Sequence, residues 1–215
     1  MEALWRYVTD HHSQLIFDSY QHVSAVVQSV LLATIIGVVV GILTYRNRVA
    51  SELATATSSV ILTVPAFALL GLLIPLFGLG VIPSVTALVL YSLLPIIRNT
   101  IVGLNAVDPA LIDAARGIGM GRLDTLGRVE LRLVWPSILS AMRLSTQMSM
   151  GVLAIAAYVK GPGLGNLIFA GLARVGSPTA LPMALTGTLL IVILALLLDG
   201  ALVLLGRLTT SKGIR

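Results

Sequence analysis

The chain has 215 residues, 57% hydrophobic and 11% charged, with a mean hydropathy of +0.99. A soluble domain carries about 25% charged residues, so this chain has too little polar surface to cover a globule in water, and lipid must be its main solvent. Its formal charge of +5 is scattered between apolar stretches and it has no cysteine, which argues against a nucleic-acid patch and excludes disulfides and thiolate metal sites.

Residues 1–22 are polar and mixed in charge, without the basic stretch, apolar core and cleavage site of a removable signal. Leu4, Tyr7, Val8, Leu15, Ile16 and Tyr20 form a loose amphipathic pattern, which predicts an external interfacial segment over 1–22. His11, His12 and His22 contain no i, i+4 pair and read as solvated surface histidines rather than a metal site. Residues 23–215 then read as one all-α transmembrane domain. A spanning helix needs about 20 apolar residues to cross roughly 30 Å of hydrocarbon. About five stretches qualify, at 23–45, 53–76, 81–104, 138–159 and 182–205, with Pro75, Gly78, Gly80 and Pro83 separating the second from the third. With the N-terminus outside and the C-terminus cytoplasmic, the inner segments hold Arg46, Arg48, Arg98, Arg116, Arg122, Arg128, Arg132, Arg207, Lys212 and Arg215. The outer ones hold Arg6, Lys160 and Arg174. That asymmetry sets the orientation and makes segment 105–136 cytoplasmic.

Within 105–136, Asp108-Pro109 is a helix start: a capping carboxylate, then a proline whose missing N–H costs nothing. Leu111, Ala114, Ala115 and Ile118 recur on one face of a short helix, which Gly117, Gly119 and Gly121 stop and turn. A second helix begins near Arg122, with Asp124 and Arg128 paired four apart and Leu123, Leu126 and Leu133 on its buried side, and Pro136 ends the excursion. Ala114-Ala115 has no side chain beyond Cβ and would let the helix lie close against a partner. The alternative is an amphipathic hairpin on the membrane surface.

Polar residues within spans are functional candidates, because hydrocarbon penalises them. Asp199 is expected to pair with an inner arginine such as Arg143 or Arg207; the alternative is a role in a pathway. The fourth span, with Gln147, Met148, Ser149 and Met150, is the candidate lining of that pathway, and Gly37-x-x-x-Gly41 reads as helix packing. No phosphate-cradling GxxxxGK[ST] sequence and no Ser/His/Asp or metal-ligand set is present, so the chain is not expected to be an enzyme. An autonomous ion-coupled carrier would be expected to show paired intramembrane acids or matching broken helices in two halves. A passive scaffold would leave the Ala-Ala helix and its glycine turn without a reason.

Asp113-Ala114-Ala115, three residues, Gly119, nine residues, then Val129-Glu130-Leu131 resembles the EAA motif of ABC-importer permeases. Asp113 stands where that family has glutamate, and Arg132 where it has the first proline, with Pro136 following. Residues 63–70, 74–80, 90–100 and 161–168 are similar to the osmoprotectant (glycine betaine, carnitine, choline) permeases of that group. The resemblance implies a type I ABC importer permease fold, multi-pass in the cell (inner, cytoplasmic) membrane. Two permease chains, identical or homologous, would form the pathway. Cytoplasmic ATPases would hold ATP and magnesium, this chain holding no cofactor, and an extracytoplasmic solute-binding protein would deliver the cargo. Asp113, Ala114, Ala115, Arg116, Gly117, Gly119, Met120 and Gly121 would sit in the ATPase groove. The cargo implied is a small quaternary amine; the alternative is another small solute, such as an amino acid. Quaternary ammonium groups are recognised by aromatic cages. With 5% aromatic residues and no aromatic cluster within a span, selection is expected mainly in the binding protein.

Overall fold

A computed structural model describes residues 2–210. The elements are α1 (Glu2–Asp10), α2 (His12–Thr44), α3 (Arg48–Thr63), α4 (Ala66–Phe77), α5 (Val81–Asn105), α6 (Pro109–Gly117) and α7 (Arg122–Thr125). A π turn (Leu126–Glu130), α8 (Leu131–Ala156), a 3-10 turn (Ala157–Val159), α9 (Gly165–Leu172) and α10 (Ala180–Thr209) follow. There is no strand among the described residues. In lipid every backbone polar group must be satisfied within the protein, and helices do that within one segment.

Four continuous helical stretches are long and apolar enough to span: His12–Thr44, Val81–Asn105, Arg122–Val159 and Ala180–Thr209. The expected second span is not one straight helix. α3 and α4 meet at a bend of 99°. Pro65 lacks an N–H, and its ring drives the preceding residue out of the helical region: Val64 is extended, with ψ 127. The Tyr91 hydroxyl of α5 donates to the Val64 carbonyl at 2.6 Å, so the interruption leaves that acceptor satisfied.

α2 runs unbroken from His12 to Thr44, so part of the expected external segment and the first span share one helix. One further expectation is corrected. Pro136 does not end the cytoplasmic excursion; it lies inside α8, which continues from the π turn without a gap.

α5 is the central helix, with α2 and α8 as its main neighbours and α3 and α4 against it as well. Leu70, Leu88, Ile96, Met150, Leu153 and Leu164 are fully enclosed. Glycines set how closely the helices approach. A Cβ at Gly37 would lie 2.7 Å from Ile96 Cγ2, one at Gly41 2.6 Å from Thr100 Cγ2, and one at Gly103 2.5 Å from Val134 Cγ1. Gly37-x-x-x-Gly41 is thus the seam of α2 on α5, as small residues are between membrane helices.

The contacts also fix the two ends of the bundle. The Tyr45 hydroxyl reaches Glu130 and the Trp135 indole reaches Thr209, so the ends of α2 and α10 and the start of α8 lie together. At the opposite end His22 meets the Met150 carbonyl, and Gly80 N–H donates to the Val159 carbonyl. α2 and α10 therefore begin at one end and finish at the other. Arg46, Arg48, Arg116, Arg122, Arg128, Arg132 and Arg207 gather at the Tyr45 end, and Arg6, Lys160 and Arg174 at the Gly161 end. Lys212 and Arg215 lie outside the described residues.

Candidate functional site

At the basic end, α6 stands off the bundle as a short capped unit. Asp108 accepts from Ala110 N–H at 2.9 Å and Pro109 occupies the first turn, satisfying the helix start as its sequence requires. The other end closes through Gly119, whose φ of +88 few residues but glycine adopt, with Met120 N–H donating to the Ala115 carbonyl at 3.1 Å. Asp113 and Arg116 pair at 3.7 Å on the exposed side, a contact that adds little in water.

The face assignment differs from the pattern in the sequence. Ala115 is buried at 5% exposure, whereas Ala114, Leu111 (47%) and Ile118 (81%) are exposed. Leu123, expected on the buried side, is 83% exposed, while Leu126 and Leu133 are partly buried as expected. The two alanines therefore do different work. Ala115 holds α6 to its own chain, and Ala114 faces out beside two large apolar side chains. Arg116, Gly117, Gly119 and Gly121 are likewise exposed and Met120 is half-buried. Asp124 and Arg128 pair at 3.5 Å, as their spacing predicts.

Behind this unit lies a buried carboxylate. Glu130 closes the π turn and is 1% exposed. It accepts from the Tyr45 hydroxyl at 2.9 Å and from Arg46 at 3.3 Å, and Arg46 Nε donates to the Tyr45 oxygen at 2.6 Å. Burial first, then the bond to Glu130, raises the Tyr45 phenol above its ordinary pKa, so it remains a donor at neutral pH. π turns often mark functional positions in helices; this one turns Glu130 inward and welds the end of α2 to the start of α8. An acid beside a basic, apolar stretch was the one sequence signal for it. Beside it, a cavity of about 720 Å³ is lined by Leu111, Arg128, Arg132, Trp135 and Thr209 among others.

The four expected pathway residues do not share a face. Ser149 and Met150 are enclosed, Ser149 within 3.2 Å of Ser92, whereas Gln147 is exposed and Met148 half-buried. Asp199 pairs with Arg143, one of the two partners expected for it: Nε donates to Oδ1 at 2.7 Å and Nη2 to Oδ2 at 2.8 Å, with Gln147 adding a bond at 3.2 Å.

At the Gly161 end, His22 is fully buried rather than solvated. Its Nε2 lies 3.2 Å from the Met150 carbonyl, and its Nδ1 has no hydrogen-bond partner. A Cβ on Gly163 would come within 2.8 Å of that nitrogen, and Asn166 ties the turn by donating to the carbonyls of Gly161 and Gly163. The fold also assembles an aromatic group that no single span contains. Tyr158 lies edge-on to Phe67 at 5.5 Å and 6.0 Å from Phe169. Among the described residues no group of three His, Asp or Glu side chains could hold a metal.

The family described as "Binding-protein-dependent transport system inner membrane component" matches residues 33–211. The osmoprotectant import permease protein OsmW of Salmonella typhimurium is 41% identical over 97% of this chain and 98% of that one. The choline transport system permease protein OpuBB of Bacillus subtilis is 31% identical over 100% of this chain and 97% of its own. The carnitine transport permease protein OpuCB of Listeria monocytogenes is 34% identical over the same shares. Among solved structures, an inward-facing MetNI methionine ABC transporter has a TM-score of 0.79 at 22% identity, covering 92% of this chain and 96% of that one. At that identity the likeness carries the fold and not the cargo.

Proposed function

The chain belongs to the binding-protein-dependent transport system inner membrane components, and from that membership we propose how it works. It is the permease subunit of an ABC importer for osmoprotectants of the glycine betaine, choline and carnitine class, resident in the inner membrane. It is a transport component rather than an enzyme, and it works with an ATPase and a binding protein.

The basic end faces the cytoplasm and the Gly161 end faces out, in keeping with the excess of arginine at the former. Two permease chains enclose the pathway. ATP and magnesium sit in the partner ATPase, and α6 with its turn to Gly121 enters a groove on that ATPase. The observation that carries this is the division of labour in Ala114-Ala115. One methyl group is packed inward, and the other is presented beside exposed Leu111 and Ile118. Apolar side chains held out on a capped helix fit a protein groove better than water. Closure of the ATPases on ATP then moves α6 toward its counterpart on the second chain. The displacement enters α8 through the π turn, and α2 follows because Glu130 grips Tyr45.

The test is Ala114→Trp. Its ring would fill the space the ATPase needs while leaving the chain's own packing alone. Insertion at wild-type level, loss of the copurifying ATPase and loss of glycine betaine uptake are expected. Retention of both ATPase and uptake would remove the coupling assignment. Ala115→Trp is less informative, because its ring would disrupt the hairpin itself.

A further inference from the structure

Arg143 and Asp199 stand where charges are costly. Asp199 precedes the last residue of α10, Thr209, by ten positions, about 15 Å at 1.5 Å per residue. Arg143 lies twelve positions, about 18 Å, beyond the start of α8 at Leu131. Both lie within helical stretches long and apolar enough to span a membrane. A pair that only stapled two helices would be sealed between them, yet the side chains are 39% and 21% exposed.

Their surroundings continue the polar surface. Ser140, Arg143 and Gln147 fall at i, i+3 and i+7 on one face of α8, with Ser140 and Gln147 exposed. A cleft of about 310 Å³, lined by Ser140, Arg143, Leu202, Arg207 and Thr210 among others, leads from the basic end up to the guanidinium. One step further along the same face, a Cβ on Gly151 would meet nothing within 4 Å. Charged groups within a membrane face a protein interior or a water-filled cavity and not lipid. On the side of α10 turned away from Asp199, Ile193 and Leu197 are exposed and apolar and suit lipid.

The pair is also a matched acceptor and donor. Arg143 engages Asp199 with Nε and Nη2, and its Nη1 has no partner among the described residues. Glycine betaine and carnitine each carry one carboxylate and one quaternary ammonium, the complement of this pair. We propose that Arg143, Asp199 and Gln147 line the aqueous solute pathway and contact a zwitterionic solute in transit, Arg143 at its carboxylate and Asp199 at its ammonium. This rests on the importer reading above. A neutral pair of this kind also admits a zwitterion without accumulating inorganic ions of either sign, which a lone charge would attract.

Because the chain contains no cysteine, single cysteines report directly. Gln147→Cys and the lipid-side control Leu197→Cys are assembled with ATPase and binding protein in lipid nanodiscs. They are then treated with a charged thiol reagent, with and without whichever zwitterion, glycine betaine or carnitine, the wild type imports. The expected result is labelling of Gln147→Cys at least about tenfold faster than Leu197→Cys, the factor that about 1.4 kcal/mol of exclusion from lipid produces. Labelling should slow several-fold with solute, and that protection should vanish when Arg143→Met and Asp199→Leu are added together. Ser140→Cys, on the same face, replaces Gln147→Cys if the latter does not assemble. Absence of labelling, labelling without protection, or protection that survives loss of the pair would each overturn the proposal, as would a wild type that imports choline but no zwitterion. A wild type that imports none of the three solutes refutes the importer reading instead, a failure visible before any cysteine is introduced.

Discussion

Tyr45 and Arg46 both bind Glu130, and the geometry orders their importance. Tyr45→Phe removes a 2.9 Å hydrogen bond to a carboxylate that is 1% exposed. A hydrogen bond to a charged group contributes about 1.5–3 kcal/mol, and the cost of leaving a buried acceptor short of a donor lies in the same range. Arg46→Met removes a 3.3 Å contact to Glu130 and a 2.6 Å bond to the Tyr45 oxygen, both from a side chain that is 50% exposed, and exposed ion pairs contribute about 0–1 kcal/mol after solvent screening. For a domain of this size 1 kcal/mol moves the melting temperature by about 2–4 °C. Tyr45→Phe should therefore lower the apparent Tm of the purified complex by about 3–12 °C and Arg46→Met by under about 4 °C. Thermal denaturation at fixed lipid and protein concentration reads both. An Arg46→Met loss equal to or larger than that of Tyr45→Phe would refute the reasoning, since it would place the stabilisation in the half-exposed ion pair instead of the buried phenol.

Three other perturbations probe separate parts of the fold. Gly103→Leu should cost about 1–3 kcal/mol or more by overpacking against Val134, whereas Gly71→Ala, with open space around it, should be neutral or slightly stabilising; thermal stability of the two variants side by side decides it. Tyr91→Phe deprives the Val64 carbonyl of its partner, at about 1–3 kcal/mol, and should speed hydrogen exchange at the α3–α4 junction while leaving α8 unchanged. Asp108→Ala removes the α6 cap, at about 1 kcal/mol, and faster exchange across 110–113 with normal membrane insertion is the outcome to look for.

The fate of two prolines marks where reading by sequence stops. Pro65 and Pro136 carry the same missing N–H, yet one lies at a bend of 99° and the other inside a continuous helix. At Pro65 the neighbouring helix supplies Tyr91 to satisfy the freed carbonyl and Val64 goes extended. At Pro136 the helix continues out of a π turn only six residues upstream, and local irregularity of this kind lets a helix re-satisfy its backbone. Nothing at either position in the sequence names its distant partner. His22 makes the same point: polar in sequence and near the end of the chain, it is enclosed because Gly163 and the Met150 carbonyl close over it. Phe67, Tyr158 and Phe169, about ninety and eleven positions apart, become neighbours only through the fold.

The sequence by itself determined the lipid solvent, the approximate positions of four spans, the segregation of arginines to one end, the capped α6 and its glycine turn, and the Asp199 ion pair. Each is a local rule or a composition rule: hydrocarbon excludes charge, backbone groups must be satisfied within a helix, and one intramembrane charge requires another. The tertiary structure decided which alanine of the pair faces out, that α3 and α4 break, that Glu130 is a clamp, and that Ser140 and Arg143 open onto a cleft. Those depend on which helix lies against which, and in this bundle that is set by where Gly37, Gly41 and Gly103 let α2, α5 and α8 touch, a relation between residues far apart in the chain that no local pattern encodes.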